Sequence, residues 1–339
     1  MKFSKNKNNR LHKKYGPNQK LDSIIAELKE LLAPVQCLAN NRFDKPEGPV
    51  LVVIGCSRSG ATFITQILAQ TGAFSYPSNL MNRFAYAPYL GALIQNLLLD
   101  SEYDFNDELS DLRANFEFKS QLGKTKGALS INEFFFFWRR FFPNYNPRYL
   151  DDKELSSVHV AKLRKELASI ESAFDKTFMA KGKMLQYNIG FFAQEMPELV
   201  FLHVKRDPVY VMQSLIEARL KFHGSENFWY GNEPREHGLL KDLPVEEQVA
   251  GQVFFTESAI QLEAKSLSSD KYIVVNYEDV CRDPAKFLRD LAHCLKMPEL
   301  ARNSNNIEKN VIPGNRPRLN GTRLKKLDEI YKRLAHNRS

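Results

Sequence analysis

Val50-Leu51-Val52-Val53-Ile54-Gly55-Cys56-Ser57-Arg58-Ser59-Gly60-Ala61-Thr62 passes from five consecutive apolar residues, most of them β-branched, into a short loop bounded by glycines. Such a run predicts a parallel strand buried on both faces, and the loop predicts entry into a helix beginning near Gly60. N–H groups of a turn of this kind and of the first helical turn point outward without partners, and the helix dipole favours an anion there. The segment therefore reads as a cradle for phosphate.

The position of the positive charge narrows which phosphate compound it holds. In a nucleoside-triphosphate loop of the Walker type a Lys follows the second glycine, and the next Ser or Thr holds Mg²⁺. Ala61 stands at that Lys position, Thr62 keeps the hydroxyl, and the cation is Arg58, inside the loop, where a planar guanidinium can fork around a phosphate. A kinase or ATPase is disfavoured by this arrangement.

Ser57-Arg58-Ser59-Gly60-Ala61-Thr62 resembles the 5′-phosphosulfate loop of the sulfotransferases, commonly Pro-Arg/Lys-Ser-Gly-Thr-Thr, with Ser57 and Ala61 departing from the commonest form. Later segments resemble the same family in the same order. The apolar run Leu199 to Val204 is followed by Lys205-Arg206-Asp207-Pro208 and then Ser214, which is similar to the family's 3′-phosphate element. Pro208 suits the first turn of a helix, where its missing N–H costs nothing, and Val209, Met212, Leu215, Ile216 and Leu220 recur at helical intervals. Tyr272 to Val280 with Asp283-Pro284 resembles the late strand and its Tyr-Glu-Asp-Leu turn, a segment whose role reads as structural. The short apolar run Phe178-Met179-Ala180 ends at Lys181-Gly182-Lys183, where relatives often carry Lys-Xaa-Pro; Lys181 matches the Lys and Lys183 replaces the Pro.

The resemblance implies an α/β fold: a parallel sheet flanked by helices, in a P-loop-like sulfotransferase architecture with a long, mainly helical insertion. It implies transfer of a sulfuryl group from 3′-phosphoadenylyl sulfate (PAPS) to a hydroxyl or amine of an unknown acceptor, whether glycan, lipid or small metabolite. Adenosine 3′,5′-bisphosphate (PAP) is left, and no metal is required. Ser57, Arg58, Ser59, Gly60, Ala61 and Thr62 would bind the 5′-phosphosulfate, Arg58 would also act in catalysis, and Arg206 and Ser214 would grip the 3′-phosphate. Lys181 would face donor and acceptor, and Arg316 or Arg318 would add a phosphate contact from a loop folded over the nucleotide.

The acceptor side is read from the residues between these motifs. A short second strand around Phe74 to Tyr76 would put Ser78 to Phe84 at a strand's carboxyl end, making Asn79 and Arg83 candidate substrate-binding residues. Relatives often place a catalytic Glu there, whereas Ser78 and Asn79 are not bases at neutral pH. The carboxylate available elsewhere is Glu133, in Ile131-Asn132-Glu133 followed by Phe134-Phe135-Phe136-Phe137-Trp138. Desolvation among those rings would raise its pKa toward the range of a general base, and Trp138 would offer a stacking floor. Aromatic residues at helical spacing are as readily core. His203, mid-strand, reads as a buried structural histidine; His159, His223 and His237 have no predicted place relative to the cradle.

Composition bounds the rest. A chain of 339 residues with 43% hydrophobic content can bury a full core. Residues 1–48 read as a basic tail (Lys2, Lys5, Lys7, Arg10, Lys13, Lys14) and an amphipathic helix from Leu21 to Leu38, ended near Pro34; residues 49–339 read as a single domain with an acceptor-side insertion at about 78–175. The helix is expected to pack on the body, with peripheral contact to an anionic membrane as the other reading. No run long enough to span a membrane occurs, the four cysteines lack metal or disulfide spacing, and a cytoplasmic setting is expected. Cys56 reads as a small loop filler rather than a reactive thiol. The net charge of +8 is spread along the chain without a nucleic-acid motif, so no nucleic-acid partner is expected. Two other functions stay open, a non-catalytic PAP- or PAPS-binding protein and a P-loop phosphotransferase.

Overall fold

A computed structural model of the chain describes residues 18–113, 118, 120–306 and 312–336. The basic tail, and Asn310 and Val311 of the C-terminal loop, lie outside the described residues. At the centre is a four-stranded sheet: β1 (Val50–Ile54), β2 (Met179–Lys181), β3 (Leu199–Lys205) and β4 (Tyr272–Asn276), in the order β2-β1-β3-β4. All neighbours are parallel, with Val53 opposite Lys181, Ile54 opposite His203, and Lys205 opposite Asn276. Register of this kind brings the carboxyl ends of the strands to one edge, so Gly55, Lys181 and Arg206 leave the sheet side by side. That edge is where ligands bind in open α/β sheets.

Among the described residues, the helices of ten residues or more are α1 (Gln19–Asn40), α2 (Ala61–Gln70), α3 (Pro88–Leu99), α4 (Val160–Phe174), α5 (Pro208–His223), α6 (Val245–Glu263), α7 (Pro284–Leu295) and α8 (Gly321–His336). Strand β1 is buried along its length because both faces are covered. Val50, Val52 and Ile54 pack with Phe137, Trp138 and Phe178, while Leu51 and Val53 pack with Ile64, Leu68 and Leu288, as the two-residue period of a strand requires. A third cluster joins α5, α6 and α8 through Met212, Ile216, Val249, Val253 and Leu327, and Cys56 belongs to it, so the loop after β1 rests on a packed wall.

Several local expectations change. Helix α1 runs through Pro34 instead of ending there. Pro34 is exposed, and the turn beyond it is tied down: Gln36 is buried, donates to Asn40 Oδ1 at 2.7 Å, and accepts from the Tyr89 N–H at 3.0 Å. Those contacts offset the lost backbone bond at proline. The helix packs against α3 and α4. The strand expected around Phe74 to Tyr76 is a single parallel bridge, Ser75 with Phe178. In the aromatic segment only Phe135–Trp138 is helical, and Phe134, Phe137, Trp138 and Phe141 are core. Among the described residues, no helix is long and apolar enough to cross a membrane.

Candidate functional site

The loop after β1 is a tight turn. The Ser59 N–H donates to the Cys56 carbonyl at 3.0 Å, and Arg58, third in the turn, has φ 78°. Positive φ at that position alone defines a type II turn, which glycine or asparagine usually fills. An arginine there is strained by about 1–3 kcal/mol and is held by its surroundings. Gly60, φ 100°, caps α2, and a Cβ on it would lie 2.4 Å from the Tyr277 ring. The Ser59 hydroxyl is buried inside the loop, where a Cβ on Gly55 would lie 3.0 Å from it.

Loop, strand tips and α5 enclose a cavity of about 560 Å³ lined by Ser57, Arg58, Gly60, Ala61, Thr62, Lys181, Arg206, Ser214 and Arg318. The separately read anion grips are thus walls of one cavity. Arg206 Nη1 donates to the Arg58 carbonyl at 3.0 Å, and Arg58 Nε donates to Ser214 Oγ at 3.0 Å. Arg206 is further fixed by Asn315 Oδ1 at 2.8 Å and by the Tyr277 ring, 4.8 Å below its guanidinium. Tyr277 also accepts from the Gly314 N–H at 3.0 Å, and Glu278 accepts from the Asp207 N–H at 3.0 Å. The Tyr-Glu pair is therefore structural, pinning the C-terminal loop beside Arg206. Of the loop's two arginines, Arg318 lines the cavity, whereas Arg316 is exposed and outside it. Burial lowers the pKa of both Arg58 and Arg206, and for Arg58 the Arg206 charge lowers it further. Desolvated like charges held together favour a polyanion between them.

The other side of the cavity is built on β2. Lys181 is 3% exposed, and its ammonium donates to Thr62 Oγ1 at 2.9 Å and to Glu133 Oε1 at 3.1 Å. Lys183 donates to the same Glu133 oxygen at 3.4 Å and to Ser57 Oγ at 3.4 Å. Glu133 thus lines the cavity, but its expected basicity is reversed. Burial raises its pKa, and the charges of Lys181, Lys183 and Lys124 outweigh burial and hold it well below the usual carboxylate range. Lys181 is shifted downward, by burial first, with Glu133 opposing.

Four candidates fall elsewhere: Ser59, buried inside the turn, is the residue of the 57–62 loop that does not line the cavity, and three more lie farther off. Trp138 is 1% exposed, stacked edge-on against Phe137 in the core, because its short helix turns the ring toward the sheet; it is no stacking floor. Asn79 donates to Thr125 Oγ1 and the Gly127 carbonyl, bracing the insertion, and does not line the cavity. Arg83 is exposed and also outside it. The placement of Asn79 and Arg83 rested on a second strand that is only a bridge.

Residues not singled out line the cavity too: Lys183, Tyr230, Glu217, Lys221, and Ser120, Gln121 and Lys124 of a short hairpin. Lys183 had a signal in its position two residues past the end of β2 at Lys181, although it lies in the turn and not on the strand. The others come from loops and late helix turns without a motif. His203 is buried, with Nδ1 2.6 Å from Tyr272 OH and Nε2 3.0 Å from Glu257, as a structural histidine should be; it and the other histidines weighed do not line the cavity. Burial pushes the Cys56 thiol far up, with Glu257 adding to it, so it is no thiolate. Among the described residues no group of three His, Cys, Asp or Glu is gathered for a metal ion.

Comparison with known proteins gives a match to the family described as "Sulfotransferase family" over residues 49–301 of the 339. Among solved structures, the chain is similar to the sulfotransferase STF9 from Mycobacterium avium, with TM-score 0.55 and 15% identity, covering 88% of this chain and 78% of that one. It is likewise similar to the sulfotransferase STF1 from Mycobacterium tuberculosis H37Rv, with TM-score 0.55 and 11% identity, covering 90% and 81%. At these identities the likeness is one of fold. No curated protein matches the chain.

Proposed function

The chain belongs to the sulfotransferase family, and on that premise we propose that it transfers a sulfuryl group from PAPS to a hydroxyl or amine of an acceptor. The observation that carries this reading is the meeting of Arg58 and Arg206 in one cavity. An adenylate bearing phosphate at both ends of its ribose needs two grips on one sheet edge, and strand tips β1 and β3 supply them. The desolvated guanidiniums and the cavity volume both fit such a donor.

In this reading PAPS supplies an activated sulfuryl group whose phosphate leaves as PAP. The protein's residues do the rest. Backbone N–H groups from Gly60 to Thr62 and the α2 dipole bind the 5′-phosphate, and Arg58 stabilises charge growing on the departing oxygen. Arg206 and Ser214 hold the 3′-phosphate, with Arg318 beside them. Lys181, buried and tied to Thr62, neutralises charge on the transferred group. Fixed cations take the place that a divalent metal has in phosphoryl transfer. Glu133 orients Lys181 and Lys183 and is the carboxylate available to receive the acceptor's proton, a weak base kept ionised by its lysines. Its depressed basicity favours a second reading, in which the protein binds PAP or PAPS without turnover.

We also read residues 49–339 as one catalytic unit, with the preceding helix as an appendage packed on it. The absence of disulfides among Cys37, Cys56, Cys281 and Cys294 supports a reducing, cytoplasmic setting. The test is turnover of ³⁵S-labelled PAPS against panels of glycans, lipids and small alcohols. Labelled product supports the transferase; PAP binding without turnover on any panel supports the second reading.

A further inference from the structure

Ser57 is the second residue of the anion turn, and both of its donors end on one buried atom. Its N–H donates to Asn232 Oδ1 at 2.8 Å, and its hydroxyl donates to the same oxygen. Asn232 is fully buried and does not line the cavity. Its own carbonyl is fixed in turn, accepting from Trp229 Nε1 at 2.9 Å and Gln252 Nε2 at 2.8 Å, and Gln252 accepts from Arg219 at 3.2 Å. Gly231, φ 91°, lets this segment press on the turn: a Cβ there would lie 2.4 Å from Ser57 Oγ.

The turn needs this support for a definite reason. Arg58 holds a left-handed conformation that an arginine does not adopt unaided. In a type II turn the residue before it sets the geometry, and proline is favoured at that place because its ring fixes φ and it has no N–H to satisfy. Serine fixes nothing by itself and brings an N–H that would be buried without a partner. The carboxamide of Asn232 supplies what the ring would have supplied.

We propose that Asn232 is a positioning residue for donor binding: by accepting from both the N–H and the hydroxyl of Ser57, it locks the turn that presents Arg58 to the donor's phosphate. The inference rests on the reading that this loop binds the adenylate donor. The hydroxyl hydrogen given to Asn232 leaves the Ser57 oxygen free to accept from Lys183, so the same lock reaches the lysine on the acceptor side.

The experiment is calorimetric titration of PAP into the full chain and three variants, Asn232→Ala, Ser57→Pro and the double variant, with melting temperature recorded for each. The wild type binds PAP, and Asn232→Ala binds it about tenfold more weakly, because the Ser57 N–H and hydroxyl lose their shared acceptor and the buried N–H cannot turn to another. Ser57→Pro in the Asn232→Ala background recovers most of that loss, because a proline needs no acceptor. Ser57→Pro alone does less well than the double variant, since it strands the Asn232 oxygen. A merely structural asparagine would not be rescued by a proline on another segment. Unchanged PAP affinity in Asn232→Ala, or a double variant no better than Asn232→Ala, overturns the inference while leaving the functional reading intact. A wild type that binds no PAP overturns the functional reading and this inference with it.

Discussion

Arg206 donates a guanidinium hydrogen to the backbone carbonyl of Arg58 across 3.0 Å, so the two proposed anion grips, 148 residues apart in sequence, are coupled before any ligand arrives. The contact follows from the parallel pairing of β1 with β3, which sets Ile54 opposite His203 and delivers both following loops to one edge. It also helps hold the left-handed Arg58. Arg206→Ala therefore removes a phosphate ligand and loosens the other grip. The expected result is a donor KM raised about 10- to 100-fold, the span for a lost charge-assisted bond. Arg58→Ala is expected to abolish transfer. Steady-state kinetics with saturating acceptor measures both.

Glu133 carries the prediction for pH. Its folded-state pKa is depressed, so its ion pairs are fully formed above the ordinary glutamate value of about 4.3 and are lost only as pH falls through the depressed value. The rate should accordingly show no acid limb from Glu133 between about pH 5 and 7. Glu133→Gln should slow kcat with PAP affinity retained, and its stability deficit should persist at neutral pH, begin to shrink only below about pH 4, and vanish only as pH falls through the depressed value. A kcat equal to wild type would remove Glu133 from the chemistry.

Gly60→Ala tests the cradle's backbone. A Cβ at φ 100° would lie 2.4 Å from the Tyr277 ring, whereas at Gly72, φ 70°, nothing lies within 4 Å. Gly72→Ala should cost only the backbone strain, about 1 kcal/mol, and Gly60→Ala several times that, with PAP binding lost. Thermal melts with and without PAP separate the two.

Trp138→Ala should cost about 3–5 kcal/mol through a core cavity, and the folded fraction should keep its acceptor KM. A large rise in acceptor KM would restore the ring to the acceptor site.

The anion loop, the Arg206 strand and Lys181 were legible in the sequence because each lies at the end of an apolar run, where strand period and loop chemistry are local facts. Their convergence was legible too, since parallel strands share a carboxyl edge. What lay beyond reach was long-range or set by charge balance. Glu133 was readable as a carboxylate near rings, but whether burial or lysines win depends on Lys181 and Lys183, about 50 positions later, and the lysines win. Trp138 was ambiguous between core and cavity until its four-residue helix fixed which way it faces. Asn232 has no motif around it and acquires its place only when the segment before α6 folds onto the turn. The continuation of α1 through Pro34 depends on Gln36 meeting Asn40 and Tyr89, a tertiary matter that overrides the breaker.

The most direct test of two grips on one adenylate is to titrate the wild type with PAP and with 5′-AMP, which lacks only the 3′-phosphate. The account predicts that PAP binds at least about tenfold more tightly, and that the difference collapses in Arg206→Ala. Equal affinities for the two nucleotides in the wild type would contradict it.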